Sequence, residues 1–252
     1  METALYDELF RLEAVHWWCA AKRRIVLALL RKFLPSDKNS TAAKNICDVG
    51  CGCGMMLTEL KEHSYNPVGI DASDYALEYC KSRGVSAVKG SLPDDPPVTL
   101  NKTMDAVLML DVLEHIDDDH SAILAAYQLL KPNGIIICTV PAYPWLWTKR
   151  DDFHHHKRRY SMNSFLEMLR YSGGSVILAS FMNTFLFPAA LAGRLTVKLL
   201  PDTKKVTDLS IPPLGLNKVL KNIFAAEHYL LTSKIVLPFG LSLVGIIQKP
   251  PE

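Results

Sequence analysis

Asp48-Val49-Gly50-Cys51-Gly52-Cys53-Gly54 is the stretch that decides the fold. The run before it, Asn45 to Val49, reads as a strand, and Gly54 to His63 after it reads as a helix. The glycines therefore occupy a strand–turn–helix junction, the setting of a nucleotide-type loop. Glycine lets the main chain turn sharply there and lets a ligand approach backbone N–H groups. Gly69-Ile70-Asp71 then ends a second strand, 66–70, with a carboxylate. An acid about 20 residues beyond such a loop suits ribose hydroxyls. The spacing is G-x-G-x-G; a dinucleotide fingerprint is G-x-G-x-x-G, and position 55 is Met.

Outward from the loop, apolar runs alternate with helical patterns. A helix is predicted over Ser73–Arg83, a short strand over Val85–Lys89 and an apolar strand over Met104–Leu110. A helix over Asp119–Leu130 is stopped by Lys131-Pro132-Asn133-Gly134, and a buried strand covers Ile135–Val140. Ser161–Tyr171 reads as a helix, Ser175–Phe181 as a strand and Leu241–Ile247 as the last strand. Continuous apolar strands alternating with helices predict a parallel sheet covered on both faces. Residues 1–34 read as one or two helices, and Pro35–Lys44 as a polar linker. The uncharged run Tyr171–Gly193 is long enough to cross a bilayer, but Gly173-Gly174, Asn183-Thr184 and Pro188 break it into a strand and a helix. Three parts are expected: an N-terminal helical lid over 1–44, a core over 45–181 and 241–252, and a helical insertion over 182–240, around Pro201, Pro212 and Pro213.

Composition narrows the function classes. With 252 residues, 49% of them hydrophobic and 21% charged, the chain is not a disordered one. A net charge of +2, from 28 basic and 26 acidic residues, argues against a polyanion binder acting through bulk charge, and no nucleic-acid partner is expected. Six cysteines are too few for a disulfide scaffold. The first residues carry Glu2, Asp7 and Glu8 in place of an apolar leader core, so the default is a soluble cytoplasmic protein. Cys47, Cys51 and Cys53 form C-x3-C-x-C, which matches no familiar zinc or cluster spacing; they read as small side chains filling the loop.

Taken in order, these motifs resemble class I S-adenosylmethionine-dependent methyltransferases. The resemblance runs through Gly90-Ser91-Leu92-Pro93, Leu110-Asp111-Val112-Leu113-Glu114-His115-Ile116 and Leu130-Lys131-Pro132-Asn133-Gly134, covering about residues 45–140. It implies an α/β Rossmann-like three-layer sandwich, with a mostly parallel seven-stranded sheet whose last strand runs antiparallel. It also implies S-adenosylmethionine as cofactor and S-adenosylhomocysteine as product. By the same resemblance Asp48, Gly50, Gly52 and Gly54 line the methionine moiety, and Asp71 accepts from the ribose hydroxyls. Ala72, Ser91 and Leu92 lie by the adenine, and Asp111 lies beside the reactive methyl. Many relatives have Asp at Ser91. The outer segments resemble a narrower bacterial subgroup, through Glu13-Ala14-Val15-His16-Trp17-Trp18 on a helix, Val140-Pro141-Ala142, and His156-Lys157-Arg158-Arg159-Tyr160. Members of that subgroup are associated with envelope glycan or lipid pathways. The acceptor expected is a small molecule, a glycan or a lipid-linked molecule, with oxygen favoured as the acceptor atom and nitrogen and carbon left open.

Methyl transfer is an in-line displacement, and the protein mainly aligns the nucleophile and excludes water. His115, after the fourth strand, reads as a general base or as a residue packing the next helix start. His156 is a second catalytic candidate. Three consecutive histidines, 154–156, cannot all aim at one ion, and with no second ligand group evident no metal is expected there. Arg158, Arg159 and Tyr160 read either as holders of an acceptor's anionic group or as partners of Asp151 and Asp152. Trp17 reads as a substrate contact on a lid, with Lys22 near the cofactor carboxylate, or as a core tryptophan. Residues 182–240 mix apolar positions with Lys198, Lys204, Lys205, Lys218, Lys221 and Lys234, suiting peripheral membrane contact or a self-packed cap. A nucleotide-cofactor oxidoreductase and a non-catalytic binding protein are the readings from other classes.

Overall fold

The computed structural model describes residues 3–34, 42–199 and 211–251. Seven strands form one sheet: β1 (Asn45–Val49), β2 (Asn66–Asp71), β3 (Ala87–Lys89), β4 (Met104–Leu110), β5 (Leu130–Pro141), β6 (Ser175–Met182) and β7 (Ser242–Gln248). Their order is β3-β2-β1-β4-β5-β7-β6. Pairing is parallel from β3 across to β5. The last strand, β7, runs antiparallel to both β5 and β6. The helices are α1 (Thr3–Val15), α2 (Trp17–Phe33), α3 (Met55–Glu62), α4 (Asp74–Ser82), α5 (Asp119–Leu129), α6 (Lys149–Phe153), α7 (Met162–Tyr171), α8 (Phe187–Leu199), α9 (Leu214–Ala225) and α10 (His228–Thr232).

The continuous apolar strands follow from burial on both faces. In β4, Val107 and Met109 pack with Ile123 and Ala126 of α5 and Phe165 and Leu169 of α7. The alternate residues Ala106 and Leu108 pack with Ile25 and Leu29 of α2, Phe224 of α9 and Leu231 of α10. Sheet and two helical layers make an α/β Rossmann-like three-layer sandwich.

Most predicted boundaries shift by a residue or two, and two differences change the local architecture. The helix predicted to reach Leu130 stops at Leu129, and Leu130 already belongs to β5. Leu130 pairs with Met104, whereas Ile135 pairs with Ala106, so Lys131–Gly134 bulges from one long strand instead of separating a helix from it. Asn133 takes the left-handed conformation this needs, at φ 64°. The helix predicted through Glu13–Trp18 breaks at His16, whose extended backbone caps α2 while its imidazole accepts from the Trp18 N–H at 3.3 Å.

Between β6 and β7 the chain carries α8, α9 and α10. Pro201, Lys204, Lys205 and most of the predicted linker 35–44 lie outside the described residues, as does the side chain of Lys198. Among the described residues, no helix is long and apolar enough to cross a membrane.

Candidate active site

The chain leaves β1 at the point where the strand order reverses, with β2 on one side of β1 and β4 on the other. A crevice at the carboxyl ends of the strands is the expected ligand position of such a sheet. Gly50, Gly52 and Gly54 all have positive φ, 67°, 54° and 79°, so a side chain at any of them is strained. At Gly50 there is also no room: a Cβ there would lie 2.5 Å from Val112 Cγ2.

Asp71 ties the loop to the end of β2, accepting from the Gly52 N–H and the Ser73 N–H, each at 3.0 Å. Burial raises its carboxyl above the ordinary range despite these donors. Helix α1 covers the loop, with Tyr6 and Leu9 packed on Cys53 and Ala76. From the same helix Glu13 Oε1 accepts the Cys53 N–H at 3.4 Å. Glu13 Oε2 is buried without a hydrogen bond, with the Arg83 guanidinium 3.7 Å away. Asp48 is 4% exposed. Burial, then the Glu13 and Asp71 carboxylates, push its carboxyl up to about 8 against the pull of Lys22. Three acids, Asp48 buried and Glu13 and Asp71 half-buried, thus surround one glycine loop.

At the end of β4, Asp111 sits at φ 57°. It accepts from Lys22 Nζ at 2.6 Å and from Thr139 Oγ1 at 2.7 Å. Lys22 also lies over the Trp18 ring, 4.0 Å from its centroid. Ala72 is exposed beside Asp71, and Ser91 is half-buried at a bridge to Asp95. The Leu92 side chain points into the core with Val49 and Ile70.

Beyond Asp111, Glu114 is 1% exposed and its Oε2 lacks a hydrogen bond. Burial, then Asp111, push its carboxyl well above the ordinary range. The His115 and His156 rings meet edge to face, 4.8 Å between centroids. Burial, then His156, hold His115 below the ordinary imidazole range. His156 Nδ1 lies 2.9 Å from Asp151 Oδ1.

Four residues read either as substrate contacts or as structural partners have protein partners in the structure. Arg158 pairs with Asp119 at 2.9 Å and donates to the Asp117 carbonyl at 2.6 Å. Arg159 is buried against Asp151, 2.8 Å, and donates to the Ala142 carbonyl at 3.1 Å. The Tyr160 hydroxyl donates to Asp119 at 2.6 Å. These groups close the 113–119 and 142–160 segments on each other because acids from elsewhere already satisfy them. The Trp17 ring packs on Phe224 of α9 at 6.3 Å, the core alternative, and Lys22 is taken by Asp111. Sequence reasoning missed Glu13, which carried no local signal, and Glu114, whose signal was its place beside His115.

Residues 18–176, more than half of the chain, match the methyltransferase domain family. The chain belongs to that family. This methyltransferase domain is 34% identical over 110 residues to a ubiquinone biosynthesis O-methyltransferase of Rickettsia canadensis, covering 41% of the chain and 45% of that protein. The chain spans about half the length of the curated relatives it matches. A SAM-dependent methyltransferase of Archaeoglobus fulgidus superposes with a TM-score of 0.55 at 19% identity, over 90% of this chain and 94% of that one. Phosphoethanolamine N-methyltransferase 2 of Haemonchus contortus, solved with S-adenosyl-L-methionine, superposes with a TM-score of 0.56 at 16% identity, over 89% of this chain and 52% of that one. Both likenesses bear on the fold.

Proposed function

We propose that this methyltransferase domain moves a methyl group from S-adenosylmethionine to a hydroxyl of a small or lipid-linked acceptor. The observation that carries the reading is the charge of the glycine loop. A pyrophosphate would bring negative charge against Asp71 and Glu13 and would hold Asp48 in its protonated form. S-adenosylmethionine brings a sulfonium and an ammonium. At about 4 Å and an effective dielectric of about 20, one unit-charge pair is worth roughly 4 kcal/mol, attractive for the cation and repulsive for the phosphate. Glu13 Oε2 has no hydrogen bond although Arg83 lies 3.7 Å away, and the Asp48 carboxyl stays raised despite Lys22, so a further cation would be favourable at both.

When bound, the cofactor supplies an activated methyl and its own leaving group. Asp71 retains acceptor capacity for ribose hydroxyls beyond its two backbone bonds. Tyr6 and Leu9 of α1 keep water from the loop, the role proposed for a lid formed by 1–44. His115 and His156 stand on the acceptor side, past Asp111. Asp151 orients His156 and leaves Nε2 for the acceptor's proton. The Rickettsia relative, named an O-methyltransferase, supports oxygen as the acceptor atom.

Calorimetric titration with S-adenosylmethionine and S-adenosylhomocysteine tests the cofactor. Asp71→Ala is expected to weaken binding by about 1–3 kcal/mol. Asp48, at about 8, is protonated in the free protein at pH 7, and a cationic ligand favours its ionised form. Binding at pH 7 should therefore release a proton, seen as a heat that changes with buffer ionisation enthalpy. Affinity should rise with pH and level off above about 8. Asp48→Asn should abolish the release. Absence of binding to either ligand withdraws the reading.

One observation favours a lipid-linked acceptor. Leu214 is 87% exposed, and Leu216, Val219 and Ile223 follow it as exposed positions on α9. Spacings of three and four put the last three on one face, with Lys218 and Lys221 on the same helix. An apolar stripe with flanking lysines suits an anionic lipid surface, each lysine contributing about 1 kcal/mol. Co-sedimentation with phosphatidylglycerol vesicles, lost in Val219→Asp, is expected. No co-sedimentation restricts the acceptor to soluble molecules.

A further inference from the structure

We propose that Glu114, His115 and His156 form a binding site for a divalent transition-metal ion of the zinc or ferrous type. Each offers one ligand atom, and these atoms lie within 4.8 Å of one another. Two imidazoles and one carboxylate, with positions left open, are a donor set for such ions. A tetrahedral ion about 2.0–2.1 Å from nitrogen holds its donors roughly 3.3 Å apart. The widest pair must therefore close by roughly 1.5 Å, and both histidine rings are only partly buried. The sequence could not supply this set from the three consecutive histidines alone. The missing ligand group comes from the turn after β4, about forty residues earlier.

Two observations point to an ion beyond proximity. Glu114 is buried at 1% exposure and its Oε2 has no hydrogen-bond partner. A buried acceptor left unsatisfied is costly, and a coordinated cation satisfies it. The nearby cations are committed elsewhere, Lys22 to Asp111 and Arg159 to Asp151. Secondly, His156 already has the kind of outer partner that metal-ligating histidines use. Asp151 Oδ1 lies 2.9 Å from Nδ1 of His156. One nitrogen of that ring is thereby fixed and the other remains to coordinate.

The cluster adjoins Asp111, which the resemblance sets beside the reactive methyl. If the methyl-transfer reading holds, on which this use rests, an ion here binds the acceptor hydroxyl and lowers its pKa. With Nε2 of His156 on the ion, coordination replaces its general-base role: the proton leaves to water, the oxygen–methyl bond forms as the methyl–sulfur bond breaks, and S-adenosylhomocysteine departs.

The test strips the full chain with chelator, then follows Zn²⁺ by calorimetry and thermal melting, and Co²⁺ by its visible ligand-field bands. One ion per chain is expected, with a raised melting temperature. His156→Ala, His115→Ala and Glu114→Gln should each weaken binding about tenfold or more. His63→Ala, an exposed histidine capping α3, should bind as wild type does. Loss of stoichiometric binding in the wild type, or equal affinity in all four variants, overturns the site. If Glu114→Gln fails to fold, the two histidine variants decide alone. Cofactor titration of the same stripped chain is independent, so failure of the metal site and failure of the methyl-transfer reading are separate results.

Discussion

Asp151→Ala is expected to destabilise the chain by about 3–5 kcal/mol, the cost of removing one partner from a buried ion pair. Asp151 is 1% exposed and accepts from Arg159 Nε at 2.8 Å, from the Thr148 N–H at 2.8 Å and from Thr148 Oγ1 at 3.1 Å. Burial alone would raise its carboxyl, but His156 and Arg159 outweigh burial and hold it well below the ordinary range. Alanine leaves a buried guanidinium unpaired and uncaps α6, whose capping box is built from Thr148 and Asp151. Asn at the same position keeps the shape and the cap acceptor, so it should lose less. Urea unfolding midpoints of the two variants measure the difference. A loss under about 1 kcal/mol for alanine, the range of exposed pairs, would show that this pair does not hold the 142–160 segment closed.

Glu227→Ala should cost a similar amount through different chemistry. The Glu227 carboxylate is fully buried and accepts three consecutive backbone N–H groups, from Asn183 and Thr184 at 2.6 Å and from Phe185 at 3.0 Å. These donors leave the end of β6 and have no strand partner. Stranding buried donors costs about 1–3 kcal/mol each, and relaxation recovers part of it, giving about 3–5 kcal/mol in all. Glu227→Gln keeps one acceptor oxygen and should fall between. Hydrogen exchange at the amides of 183–185 should speed up in the alanine variant before global unfolding does. Unchanged exchange there would mean that water or another group serves these donors.

What the sequence showed and what it hid divide along a physical line. The Met104–Leu110 strand was legible because burial on both faces writes a continuous apolar run, and the glycine loop because positive φ restricts residue choice. The four-residue bulge before Ile135 was not, because its turn residues look the same whether they end a helix or interrupt a strand. His16 was hidden as a cap because histidine is seldom one. Arg158, Arg159 and Tyr160 have the donors of an anion site, but Asp119 and Asp151, which occupy them, come from other segments. Glu114 takes on chemical meaning once folding sets His156 beside it.

Met182 and Ser242 face each other as partners across β6 and β7. The chain leaves the sheet at one of these positions and rejoins it at the other, so from the strands' side everything between them is a closed excursion. Closure entropy grows with the logarithm of loop length, about 0.6 kcal/mol for each doubling. Lengthening that excursion outside the residues that pack on the sheet is thermodynamically cheap for the β6–β7 register. The strands can keep their pairing while the exposed parts of the helical attachment diversify.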